Sequence, residues 1–278
     1  MAEASSDFFV RFWGVRGTVA CPGPATLRYG GNTSCLEVRC GNRLLIFDGG
    51  TGLRPLGHHL DKAGPVDADL YFTHTHFDHI QGLPFFSSAY KPTNRLRFWA
   101  GHLKPDYTLK GVLSEMMAAP LFPVPLSILS ADSTFQDFDG GATLQPGPGI
   151  VLRTTMLNHP NRATGYRVEF GGKSICYVTD TEHLPGQPDK NVLALIAGAD
   201  IVIYDSTYTD EEFSRFKGWG HSTWQEGVRL CNQANAKRLV IFHHDPAHDD
   251  SFMDAIAAAA EAMRPGTVVA REGLVLSP

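Results

Sequence analysis

Thr73-His74-Thr75-His76-Phe77-Asp78-His79-Ile80-Gln81-Gly82 places three histidines and an aspartate within six consecutive positions. The residues before it, 68–72, are apolar and β-prone, so the histidines begin where a buried strand runs out into a loop. On such an extended turn the two-residue period of a strand puts His74 and His76 on one side. Asp78 and His79 then bend round to a neighbouring position. Neutral imidazole and carboxylate are the donors that borderline divalent metals prefer. The competing reading is a set of solvated loop histidines. Four potential ligands crowded beside a buried strand tell against it, and the stretch reads as a metal site.

Outward from this stretch, the first third of the chain reads as strands over 8–13, 34–38 and 44–47. Gly-rich turns separate them, such as Gly30-Gly31-Asn32 and Gly49-Gly50-Thr51-Gly52. Beyond the histidines come a strand over 96–100, a helix over 108–118 and a Pro-rich passage over 120–125. The β pattern resumes at Thr143, with strands over 150–156, 165–170 and 174–179, a helix over 191–197 and an apolar strand over 201–204. Ser222-x-x-Gln225 predicts a capping box that opens a helix, and 239–242 a strand. Ser251-x-x-Asp254 predicts the start of a helix ending at Met263. Short strands over 268–270 and 274–276 are expected to close the sheet. There is no linker and no short repeat. The order predicts one domain over 1–278: an α/β fold of two mixed β-sheets packed face to face, with helices on the outer faces.

With 278 residues, 43% hydrophobic and 19% charged, the chain can bury a core of its own. A net charge of −5 argues against a protein built to grip long nucleic acid, which needs a basic face. A small phosphorylated substrate remains compatible, because bound metal makes a site locally positive. The five cysteines (Cys21, Cys35, Cys40, Cys176, Cys231) form no CxxC pair and read as free thiols in a reducing compartment. Residues 1–7 lack the basic-then-apolar pattern of a leader, and no apolar run approaches the ~18 residues of a membrane span. A cytoplasmic protein with no membrane partner is expected.

His-x-His-x-Asp-His at 74–79 resembles the signature of the metallo-β-lactamase superfamily, and the likeness runs through nearly the whole chain. Asp48 in Ile46-Phe47-Asp48-Gly49-Gly50 looks like that superfamily's early strand-end aspartate. His159 in Leu157-Asn158-His159-Pro160 looks like its third metal histidine, and Asp180 in Tyr177-Val178-Thr179-Asp180-Thr181 like its bridging aspartate. His243 in Val240-Ile241-Phe242-His243 looks like its last ligand. Their shared order, each after an apolar strand, carries the match. The resemblance implies an αββα sandwich holding two divalent metal ions, zinc first, with manganese or iron as alternatives. It implies that His74, His76 and His159 hold one ion, that Asp78, His79 and His243 hold the other, and that Asp180 is shared. Such a set leaves each ion an open position for hydroxide and substrate. Asp48 is expected to orient a ligand imidazole rather than to bind metal.

The superfamily hosts several chemistries, so membership alone does not fix the reaction. Gly220-His221-Ser222-Thr223 and the later strand ending in His243 are similar in order to ribonuclease Z and its small phosphodiesterase relatives. In that group the histidine sits near the scissile phosphate, with an acidic partner from an earlier strand end. Here that partner would be Asp205 in Ile203-Tyr204-Asp205-Ser206-Thr207. Phosphodiester hydrolysis gathers negative charge on the phosphoryl oxygens and expels an alkoxide that needs a proton. A protonated His221 paired with Asp205 supplies both. Asp78 is expected to double as the base that orients the attacking hydroxide, as its family counterpart is thought to do.

The likeness breaks between Asp137 and His159. That stretch offers Gly140-Gly141, Pro146-Gly147-Pro148-Gly149 and a single Arg153, with no room for the basic arm by which ribonuclease Z holds transfer RNA. A small phosphodiester or cyclic nucleotide is the expected substrate. Hydrolysis of a lactone, ester or thioester at the same metals is the alternative. Exact substrate, physiological metal and oligomeric state stay open, a homodimer among the options. Arg16, Arg28 and Asn32 are candidates to reach a substrate phosphate or to serve surface loops. His244, Asp245, His248 and Asp249 are expected in a solvated loop. Phe85, Phe86, Phe122, Trp219 and Trp224 either line a pocket over the metals or belong to the core, and no motif surrounds His58, His59, His102 or His183.

Overall fold

In a computed structural model, which describes residues 8–278, the strand Arg43–Phe47 (β3) shows how the layers arise. Residues 1–7, where no leader was expected, lie outside the described residues. Leu44 and Ile46 point to one face and Leu45 and Phe47 to the other, as the period of a strand requires, and all four are buried. Leu44 and Ile46 cluster with Leu53, Leu56 and Leu60 of the helix Leu53–Leu60 (α1). Leu45 and Phe47 cluster instead with Tyr166, Ile203 and Phe242 from the second half of the chain. A strand covered on both faces must be apolar throughout, which is why it shows no polar alternation.

Two seven-stranded mixed sheets follow from this rule. The first contains Phe8–Gly14 (β1), Cys35–Cys40 (β2), β3, Asp67–Phe72 (β4), Arg95–Ala100 (β5) and Asp132–Asp137 (β6). Strands β3 to β6 run parallel, with α1 and the helix Leu109–Met116 (a later crossover) packed on the outer face. The second contains Thr143–Gly147 (β7), Ile150–Leu157 (β8), Ala163–Phe170 (β9), Lys173–Val178 (β10), Ile201–Asp205 (β11), Arg238–Phe242 (β12) and Val268–Val269 (β13). There β10 to β13 run parallel. The helices Lys190–Ile196, Trp224–Gln233 and Asp250–Met263 cover its outer face. Val275–Leu276 (β14) returns to pair with β1, so the two closing strands join different sheets rather than one. Helices outside and two sheets inside give the expected αββα sandwich.

Several elements differ from expectation. The strand at 132–137 and the helix Leu53–Leu60 have no counterpart in the sequence reading, and the β pattern expected from Thr143 opens with a separate strand at 143–147. The strands are half-exposed edge strands with polar alternation, and the helix contains Pro55 and Gly57, which lower helix propensity. Thr223, not Ser222, caps the helix Trp224–Gln233, accepting from Glu226 N at 3.1 Å. Ser222 is committed elsewhere, with its hydroxyl 2.8 Å from His183 Nδ1 and 2.9 Å from Tyr204 OH. The last helix is capped by Asp249, two residues before Ser251.

Among the described residues no helix is long and apolar enough to cross a membrane. All five cysteines are free thiols, and four of them are buried.

Candidate active site

The carboxyl ends of parallel strands from both sheets meet at one edge of the sandwich, where open α/β sheets hold their ligands. Asp48 follows β3, His74 follows β4, Asp180 follows β10, Asp205 ends β11 and His243 follows β12. His159 stands in the turn between β8 and β9. Asp48, Asp180 and His243 all take left-handed backbone angles, with φ of 60°, 56° and 65°. Non-glycine residues pay for that conformation, so packing must hold them there. In each case the sharp turn at a strand end aims the side chain across the edge.

The expected residues converge. Ring nitrogens of His74, His76 and His159 lie within 4.8 Å of one another, and so do donor atoms of Asp78, His79, Asp180 and His243. Asp180 lies between the two groups: its Oδ2 is 3.6 Å from His74 Nε2 and 3.7 Å from His159 Nε2. Its Oδ1 is 3.2 Å from both His79 Nε2 and His243 Nε2. Nε2 of His74, His79 and His243 is buried in each case and makes no hydrogen bond. Buried polar atoms are almost always paired. Three unpaired nitrogens facing a shared carboxylate match the donor set of a metal centre, and the residues of these two groups fit two divalent ions.

Neighbouring groups fix which nitrogen each ring offers. Asp48 Oδ2 accepts from His79 Nδ1 at 2.8 Å and from the Tyr177 hydroxyl at 2.8 Å, while Asp48 Oδ1 accepts from Thr73 N at 2.7 Å. Thr73 Oγ1 lies 3.1 Å from His74 Nδ1. The Gly220 carbonyl accepts from His159 Nδ1 at 2.8 Å. Each contact turns Nε2 toward the centre, where His159 Nε2 lies 3.1 Å from His76 Nδ1; this is the arrangement that orients metal-bound imidazoles. Asp48 thus stands behind His79, as expected. Tyr177, Thr73 and Thr207 are partners that no motif announced.

Two glycines make room for these rings. A Cβ on Gly17 would lie 2.4 Å from the His243 ring, and one on Gly220 (φ +87°) would lie 2.2 Å from His159 Nδ1. Thr18 N donates to Asp78 Oδ2 at 2.8 Å.

Electrostatics make the same demand for cations. Asp48, Asp78, Asp180 and Asp205 are all buried around one spot. Burial works against a charge on His79, yet Asp78, Asp180 and Asp48 outweigh it and hold this imidazole well above its ordinary value. His74, by contrast, is held well below the ordinary value, first by burial and then by His79.

Beside this centre His221 Nδ1 donates to Asp205 Oδ2 at 3.1 Å and lies 3.9 Å from Asp180 Oδ2. Burial opposes its charge, but Asp205 prevails and pushes His221 up to about 9. Asp205 also accepts from Thr181 N and Thr207 N, each at 3.1 Å. Burial again opposes the charge, but His221 keeps Asp205 below the usual carboxylate range. Glu182 fastens the approach to His221, accepting from Gly218 N and Gly220 N at 2.8 Å each. The pair can hold a proton and present it to a group bound at the centre.

Other candidates fall elsewhere. Arg16 is fully buried and donates to the carbonyls of Gly30, Asp245 and His248, so it neither faces substrate nor serves the surface. Arg28 pairs with Asp254, and Asn32 with Glu272. His244 and His248 are buried rather than solvated: His244 donates to the Ala270 carbonyl and His248 pairs with Glu212. Phe86 and Trp224 are core residues. Trp219 and Phe77 are exposed, at 62% and 68%; Phe77 lies between His76 and Asp78 in sequence, and Trp219 two residues before His221.

A model of the family described as "Beta-lactamase superfamily domain" matches residues 43–244. Ribonuclease Z of Haloarcula marismortui is 24% identical over 308 aligned positions, covering 95% of this chain and 95% of that protein. A diphosphatase of the PhnP family superposes with a TM-score of 0.71 at 17% identity, over 98% of each chain. Zn(2+)-bound PqqB from Methylobacterium extorquens gives 0.71 at 18% identity, over 97% of this chain and 100% of that one. Fold, converging donors and a family match over most of its length agree: the chain belongs to the metallo-β-lactamase superfamily, near ribonuclease Z, and is a metal-dependent hydrolase.

Proposed function

We propose that the protein is a phosphodiesterase acting on small phosphodiesters or cyclic nucleotides, working as one domain in the cytoplasm. His74, His76 and His159 hold one divalent ion, Asp78, His79 and His243 the other, and Asp180 both. Zinc is the first choice, since nitrogen-rich sets with carboxylates suit it and a neighbour of the same fold carries it. Ions in this centre would supply Lewis acidity and a water acidic enough to attack at neutral pH.

The observation that carries the reading is the His221–Asp205 pair at 3.1 Å beside the Asp180 carboxylate. A phosphodiester needs a cationic proton donor for its leaving alkoxide, and His221, held charged by Asp205, meets that need. Asp78 orients the attacking water as base. A small substrate is favoured over transfer RNA because the chain carries net −5 charge and the stretch after β6 is only a β7–β8 hairpin.

The exposed Phe77 and Trp219 favour a second reading, hydrolysis of an apolar lactone, ester or thioester at the same centre. Metal-replete protein assayed on bis-p-nitrophenyl phosphate and on a lactone and thioester panel separates the two. Turnover of the acyl panel with none of any diester overturns the phosphodiesterase.

A further inference from the structure

A cleft of about 430 Å³ opens beside the centre, with His76 in its wall. Its other walls come from His102, Asp106, Tyr107, Glu115 and Arg162. The volume is within the usual range for a small-ligand site. Two observations suggest that this space is built rather than left over. Asn161 and Arg162 both take left-handed backbone angles, φ 62° and 70°, a strained pair that turns the chain so that His159 faces the centre while Arg162 faces the cleft. Arg162 is then held in place, its guanidinium donating to the Lys104 carbonyl at 3.0 Å and to Asp106 Oδ2 at 2.9 Å.

The charges in the cleft are selective. Asp106 neutralises Arg162, the single cation, and Glu115 adds another carboxylate. A second phosphate entering here would find no unpaired cation among these side chains, and Glu115 would repel it. The flat, exposed Tyr107 ring offers a stacking surface instead, and the carboxylates and Asn161 can accept from or donate to hydroxyls and amides.

Resting on the phosphodiesterase reading, we propose that this cleft is the subsite for the non-reacting arm of the diester. It takes an uncharged group of nucleoside size that carries a planar ring, and it excludes a second phosphate. The substrate class is therefore a diester with one phosphate and one neutral ring-bearing arm, rather than a polynucleotide.

The test compares three esters on metal-replete protein: thymidine 5′-(p-nitrophenyl phosphate), methyl p-nitrophenyl phosphate, and the thymidine ester with an added 3′-phosphate. Base stacking on an aromatic side chain is worth ~1–3 kcal/mol, so kcat/KM for the thymidine ester should exceed the methyl ester by about tenfold or more. Tyr107→Ala should cut that ratio about fivefold or more, through KM. The 3′-phosphate should lower kcat/KM, and Glu115→Gln should recover part of the loss. Equal rates on the thymidine and methyl esters, or a ratio unmoved by Tyr107→Ala, overturn the subsite and leave the phosphodiesterase standing. If no diester is cleaved, the phosphodiesterase falls. Calorimetric titration with thymidine 5′-monophosphate then decides the cleft alone: weaker binding to Tyr107→Ala supports it, and equal or absent binding overturns it.

Discussion

Thr207 Oγ1 lies 3.0 Å from His243 Nδ1 and donates to Asp205 Oδ1 at 2.7 Å. A hydroxyl has one proton; with it directed to Asp205, the shorter contact, rather than to the His243 carbonyl at 3.0 Å, the oxygen accepts from the His243 Nδ1–H. One buried threonine thereby joins a metal-facing imidazole to the carboxylate that charges His221. Thr207→Val should weaken metal binding by roughly 10–100-fold, the scale for losing an outer hydrogen-bond partner. Thr207→Ser should stay near the parent. Competition with a chromophoric chelator measures both, and equal affinity in the valine variant breaks the link.

His221→Ala should keep its metal and lose turnover of a diester by roughly two to four orders of magnitude, the range for general acid catalysis. Asp205→Asn should move in the same direction, because His221 then loses the partner that keeps it charged. Elemental analysis alongside steady-state kinetics gives the answer. Parent-like rates in His221→Ala would remove this residue from the reaction.

His76→Ala should lower the melting temperature of metal-loaded protein far more than that of chelator-treated protein. Binding to a folded site adds its free energy to folding, and the unfolded chain has no such site. Equal losses under both conditions would make His76 a packing residue only.

Burial pushes both His102 and His244 down to about 3. Each is neutral when folded and has an ordinary value of 6.5 when exposed. The unfolded chain therefore binds more protons between these values, and stability falls as pH drops from 6.5 toward 3. Chemical denaturation of metal-free protein across this range should show the slope, and His244→Gln should flatten it. A variant with the parent's slope would refute the contribution of His244.

Gly17→Ala should act like a ligand mutation although residue 17 carries no donor side chain. The new methyl lies 2.4 Å from the His243 ring, and overpacking of this kind costs roughly 1–3 kcal/mol. Metal affinity and stability should fall together, read by chelator competition and thermal melting. Unchanged affinity would show that the ring can retreat without cost.

Strand ends were the legible part of this chain. Apolar runs at 44–47, 68–72 and 239–242 announce buried strands, and Asp48, His74 and His243 follow them within one or two positions, so motif and topology point the same way. The His221–Asp205 pairing was visible only through likeness to ribonuclease Z. Tyr177, Thr207 and Gly17 were not legible, because their importance comes from contacts across 129, 36 and 226 positions of sequence respectively. Arg16, His244 and His248 misled for the opposite reason: polar residues in stretches rich in glycine or aspartate look solvated, yet here they cross-link buried loops. The cap of the helix Trp224–Gln233 moved by one residue because Ser222 had other partners, and that of the last helix by two, to Asp249.

The two sheets are successive halves of the polypeptide, apart from β14. His74, His76, Asp78 and His79 belong to the first half, and His159, Asp180 and His243 to the second. During synthesis the early half leaves the ribosome with only part of the donor set. In the proposed assignment neither metal position can be completed until the strands of the second sheet emerge: the first waits for His159 and Asp180, the second for Asp180 and His243. Under that assignment loading has to wait for the second sheet, and a chain truncated before β12 would leave the second position short of a ligand.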